Sequence, residues 1–284
     1  MDPPELTWPG GRKVAVMITA AVELWSEGHW PSYAPMAAAW PLPGVPDSHS
    51  ASWSEYGATT GVWRLLDLLD RRGVTATFGV NGLVAERFPD AVRAVADAGH
   101  EVAAHSYAQD VVPACLDADE ERANLVRSVD VLHGVTGHRP TGWLSPRATA
   151  SPRTADLLAE HGFTWSGDHN DRELPHVLRT AHGPLVAIMH SDFSDVRGAA
   201  AGPRTYRDVH LDLLEHLLDA PGTGILNLTV HAHVGGRPAQ AAMFDRILAS
   251  IRLAGDDVWV TTHQRVAEHV LATTRHHEGN TTSP

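Results

Sequence analysis

The stretch Leu228-Thr229-Val230-His231-Ala232-His233-Val234-Gly235-Gly236-Arg237-Pro238 decides how the chain is read. An apolar, β-branched run leads to two imidazoles, and Gly235-Gly236 then turns the chain into a helix opening on Pro238. Side chains two apart on a strand share a face, so His231 and His233 are expected to project together from the carboxyl end of a strand. Open α/β sheets and βα barrels place their chemistry at that end. Two rim histidines held only by hydrogen bonds would give the same pattern.

Outward from this stretch, strand and helix periods alternate. Val14–Thr19 reads as a buried first strand, and the segments 75–80, 101–106, 141–144, 163–167, 185–190 and 258–261 as further strands. Helical patterns cover 62–72, 89–98, 119–133, 153–161, 206–218, the run from Pro238 and 264–273. Such alternation implies an α/β fold with a largely parallel sheet, and seven or eight strands alternating with helices point to one barrel-like domain. Residues 1–275 are expected to form one domain, because no linker composition interrupts them, and the polar tail 276–284 is expected to be disordered. Ser26 to Ser54, rich in Pro, Trp and Ser, reads as a long irregular loop near a pocket.

Composition narrows the partners. With 22 Lys+Arg against 34 Asp+Glu the 284-residue chain carries a net charge of -12, and no basic run is present, so neither nucleic acid nor an anionic membrane surface is an expected partner. Cys115 is the only cysteine, which excludes an intrachain disulfide and a Cys-rich metal site. The amino terminus has no leader pattern and no run approaches the length of a membrane span, so a cytoplasmic location is expected. A small-molecule substrate is the expected partner, with a homo-oligomer left open.

Candidate chemistry gathers behind the strands. Glu23 shares a face with Ala21 beyond the first strand, where a carboxylate serves as general base or metal ligand. His105 ends another strand, and a second His four residues on would make a metal pair; Gln109 stands there instead, a poor zinc ligand. Arg147 can orient a carbonyl-rich substrate through its planar fork, Asp192 follows a further strand, and Trp25 and Trp143 are placed to wall a pocket. No Gly-x-Ser-x-Gly elbow, dinucleotide fingerprint or phosphate loop is present.

Several motifs together resemble the polysaccharide deacetylase superfamily (NodB homology), and within it the cofactor-independent allantoinases: Trp8-Pro-Gly-Gly, Gly61-Val-Trp-Arg64, Phe78-Gly-Val80, Glu101-Val-Ala-Ala-His-Ser-Tyr107, Gly142-Trp143 with Arg147, and His231 with Gly236-Arg-Pro238. The resemblance implies a deformed, incomplete (β/α) barrel of seven or so parallel strands and hydrolysis of a carbon–nitrogen bond that is not a peptide bond. It also implies that His231 matches the late histidine acting as an acid in deacetylases. Metal-dependent members carry an Asp pair after the first strand and two histidines four apart; Ala21 and Gln109 depart from that pattern, while Glu23 and His105 remain. Thr59 stands where relatives show a basic residue, which points away from allantoin itself.

The resulting expectation is hydrolysis of a small cyclic ureide, amide or imide, with Glu23, His105 and His231 catalytic and Trp25, Trp143, Arg147, Asp192 and His233 binding substrate. No cofactor is favoured; a divalent metal such as zinc, if one binds, would be held by Glu23, His105 and His231. The alternatives are a metal-dependent N-deacetylase of amino sugars or peptidoglycan, and a non-catalytic binding protein on a degenerate barrel.

Overall fold

The computed structural model describes residues 6–35, 45–191 and 193–280. Asp192, one of the expected substrate-binding residues, lies outside them.

Among the described residues nine strands form one curled sheet: β1 (Val14–Val22), β2 (Thr77–Val80), β3 (Glu101–Ala104), β4 (Gly142–Trp143), β5 (Trp165–Ser166), β6 (His176–Thr180), β7 (Gly183–Ala187), β8 (Gly224–His231) and β9 (Val258–Thr261). Their order is β6-β7-β5-β4-β3-β2-β1-β8, and every pairing is parallel except the β6–β7 hairpin. β1 is the axis of the sheet. Its whole length pairs with β8, while β9 and β2 share its other side, β9 beside Val14–Met17 and β2 beside Thr19–Val22. The expected incomplete barrel is thus observed, with nine strands instead of seven and one of them antiparallel.

Period-2 alternation on β1 builds both the core and the site. Val14, Val16, Ile18, Ala20 and Val22 join the large outer core under the helices, whereas Ala15 and Met17 join a smaller inner core with Trp8 and Trp165. The next inward positions, Thr19, Ala21 and Glu23, line a cavity above that inner core. β8 repeats the pattern, since Ala21 is in register with His231.

Helices α1 (Ser48–Tyr56), α2 (Val62–Arg72), α3 (Gly82–Arg87), α4 (Pro89–Asp97), α5 (Ala118–Thr136), α6 (Thr154–Glu160), α7 (Asp195–Ala201), α8 (Pro203–Asp219), α9 (Pro238–Leu253) and α10 (His263–Asn280) cover the sheet. α5 starts on a reciprocal capping box between Asp117 and Glu120 and stops at Gly137, which takes the left-handed conformation (φ 74°). Two departures from the sequence reading stand out. The stretch 26–54 is not irregular throughout, because Asp47 caps α1 by accepting from the Ser50 N–H at 2.8 Å. α10 continues to Asn280, past the expected domain end at 275.

Candidate active site

Glu23, His105 and His231 meet at one point in the mouth of the barrel. Glu23 leaves β1 on its inward face and is almost fully buried, at 1% exposure. Its Oε1 lies 3.3 Å from His105 Nε2 and 3.7 Å from His231 Nε2. His105 leaves β3 on the inward face, and its Nδ1 donates to the Leu144 carbonyl at 2.7 Å, which fixes that hydrogen and turns Nε2 toward Glu23. The Nε2–Oε1 contact therefore needs one proton shared between the two groups.

Asp195, at the start of α7 and fully buried, sets His231. Its Oδ1 accepts from His231 Nδ1 at 2.6 Å and its Oδ2 from the His231 backbone N–H at 2.8 Å. Burial alone would push His231 down, but Glu23 and Asp195 raise it to about 9. Burial would likewise push Glu23 up, yet His231, the hydrogen-bonded His105 and His233 bring it down to about 2. At neutral pH the site is a carboxylate facing an imidazolium.

Asn81 locks the two strand exits together. Its side-chain oxygen accepts from the Leu24 N–H at 3.0 Å, and its amide donates to the His105 carbonyl. The backbone beyond His105 is strained: Ser106 (φ 57°), Arg147 (φ 60°) and Ala148 (φ 49°) are the only non-glycine residues with positive φ among those described. Such a conformation costs about 1–2 kcal/mol per residue, and all three fall in the loops after β3 and β4 that border the cavity.

The cavity holds about 470 Å³, within the range of small-molecule sites. Arg147 is on its rim, with Tyr33, Asn170 and His190. His190 is held neutral near 4 by burial, His231 and His105. Three of the expected substrate-binding residues are not on this lining. Trp143 is buried in the core against Phe163, and its Nε1 donates to Ser145 Oγ at 2.9 Å, so it supports the wall from beneath. Trp25 packs edge-on against His233 and faces a neighbouring groove with Glu27 and Trp30. His233 does not share the face of His231 because β8 ends at His231: Val234 and Gly235 both donate to the His231 carbonyl, and the turn carries His233 behind Glu23, with no exposure. Sequence reasoning did not link Asp195 to His231 or Asn81 to His105. A buried carboxylate one helix start away in sequence and a strand-end amide show no spacing pattern that links them to His231 or His105.

The donors do not suit the divalent ion considered above. His231 Nδ1 is taken up by Asp195 Oδ1 at 2.6 Å, and its Nε2 is turned to Glu23 Oε1 at 3.7 Å, so an ion would have to displace the proton between them. Gln109 supplies an amide in place of a second imidazole. Among the described residues no group of three or more His, Cys, Asp or Glu side chains is arranged to hold a metal.

The profile of the polysaccharide deacetylase family matches residues 48–166. A Helicobacter pylori peptidoglycan deacetylase is 24% identical over 246 residues, covering 74% of this chain and 83% of that protein. Among solved structures, the Puue allantoinase superposes with a TM-score of 0.85 at 28% identity, over 96% of this chain and 95% of that one. A Mycobacterium smegmatis protein assigned as a polysaccharide deacetylase superposes with a TM-score of 0.79 at 30% identity, over 96% of each chain. With that identity along nearly the whole of both chains, and the carboxylate–histidine site in the mouth of the same barrel, this chain belongs to the polysaccharide deacetylase family of hydrolases acting on carbon–nitrogen bonds other than peptide bonds.

Proposed function

We propose that the chain opens a small cyclic ureide, amide or imide by hydrolysing a ring carbon–nitrogen bond. The observation that carries this reading is Glu23 lying 3.7 Å from the Asp195-oriented His231 on the wall of a small cavity, with no group of three metal-binding side chains among the described residues. Water adds to the ring carbonyl carbon, forming the carbon–oxygen bond while its proton passes to Glu23. The carbon–nitrogen bond then breaks as His231 Nε2 gives its proton to the leaving nitrogen. Return of the proton from Glu23 to His231 resets the pair. The coupling between them helps the second step: once Glu23 is protonated, the leading charge that raises His231 to about 9 is gone and His231 becomes the stronger acid toward the leaving nitrogen. Arg147 on the rim would face the carbonyl oxygen, and His105 holds Glu23 in place.

The match to the Helicobacter pylori peptidoglycan deacetylase favours a second reading, release of acetate from N-acetylated sugars. A panel of cyclic ureides and imides assayed beside chitin oligomers and peptidoglycan separates the two. Ring opening without acetate release is expected; acetate release alone would reverse the order, and no turnover of either class would favour a binding role.

A further inference from the structure

Behind Glu23 lie three buried polar atoms that the chemistry above leaves unused. Neither ring nitrogen of His233 has a hydrogen-bond partner, and neither does Glu23 Oε2. His233 Nδ1 stands 3.8 Å from that Oε2. The gap is longer than a hydrogen bond, yet too short for a bridging water, which needs about 4.5 Å or more between the atoms it joins. Unpartnered donors and acceptors at zero exposure are costly, and a closure of about 1 Å removes two of these three at once.

The imidazole is clamped for such a contact. Trp53 and Trp25 meet it edge-to-face with ring centroids at 4.6 and 5.4 Å. The backbone beneath it is seated on a π-helical turn, 57–61, in which the Val62 N–H reaches the Gly57 carbonyl. A Cβ on Gly57 would stand 3.1 Å from the His233 backbone nitrogen, and one on Gly61 would stand 1.9 Å from the Ala232 carbonyl oxygen, so the two glycines let the turn press against this loop.

We infer that His233 is a positioning residue for Glu23, its Nδ1–H holding Oε2 so that Oε1 stays aimed at the cavity. The role rests on the hydrolytic reading above. The charged groups around His233 are Glu23, His231, Asp195 and Arg237, whose Nε donates to the His233 carbonyl at 2.9 Å. Burial outweighs the two carboxylates and holds the ring near 4, so it acts as a neutral donor.

Three substitutions test this, because an Asn amide overlays the Nδ1 position while a Gln amide overlays Nε2. On whichever ring substrate the wild-type protein opens, H233F and H233Q are expected to lower kcat about 10- to 100-fold with little change in KM. H233N is expected to recover to within about 5-fold of wild type. Equal losses in H233N and H233F, tracking a loss of melting temperature, would reduce His233 to a packing residue. Nitrogen NMR of histidine-labelled protein, with the His233 signal identified by its loss in H233N, reads the same point without turnover. A neutral ring protonated on Nδ1 from pH 5 to 8 is expected, and the Nε2–H tautomer would overturn the inference even where activity survives. Absence of ring opening in the wild type would instead defeat the functional reading and leave the NMR result to judge His233.

Discussion

Asp195 accepts two hydrogen bonds from His231, one from the ring and one from the backbone, and so fixes the orientation of the residue proposed to protonate the leaving nitrogen. Asp195→Asn keeps the shape but removes the charge that helps hold His231 at about 9. In D195N kcat is expected to fall about 100-fold or more, within the range of a lost general acid. The alkaline limb of the kcat/KM profile should also move down from near 9, because less of His231 stays protonated. A pH–rate profile checks both, and an unmoved alkaline limb would show that His231 is not the group titrating there. The sequence placed Glu23, His105 and His231 near one another because each follows a strand on an inward face. It could not show that Asp195, on the helix after an unrelated strand, completes the set.

At the scale of elements, what was legible depended on burial. β1 and β8 are buried along their length and read as apolar runs, and the helices 62–72 and 238–253 show clear faces toward the core. β6 was missed because it is a half-exposed edge strand, His176–Thr180, whose sole partner is β7 and whose polar residues read as loop. His233 was misplaced because strand periodicity was carried two residues past the end of β8. The turn at 57–61 had no sequence signal beyond its glycines, yet it seats the loop bearing His231 and His233. Gly61→Ala is therefore expected to cost about 1–3 kcal/mol by overpacking and to lower activity as the loop shifts. Urea unfolding and kcat measured together check this. A G61A protein with unchanged stability and rate would mean that the turn and loop do not bear on one another.

For the whole molecule, the interior of the barrel concentrates imidazoles whose states differ. His263, His190 and His233 are held neutral, near 3, 4 and 4, chiefly by burial. Their folded values lie below the unfolded 6.5, so stability is expected to fall as the pH drops below 6.5, by about 1.4 kcal/mol per unit for each group until it titrates in the fold. His231 is shifted the other way, so its contribution is full below 6.5 and is lost as the pH rises through about 9. Glu23, lowered to about 2, adds stability above its unfolded 4.5 that is lost as the pH falls through 2. The urea midpoint should peak near pH 6.5, and a flat profile from 4.5 to 6.5 would show that the three imidazoles do not stay neutral in the fold. No helix among the described residues is long and apolar enough to cross a membrane.

Hydrolysis carried by Glu23 and His231 themselves is tested most directly by assaying the protein on cyclic ureides and imides before and after exhaustive chelation, with its metal content measured alongside. Ring opening at an unchanged rate, abolished in E23Q and in H231N, is the expected result. Activity confined to acetate release from N-acetylated sugars, lost on chelation and restored by zinc, would contradict it.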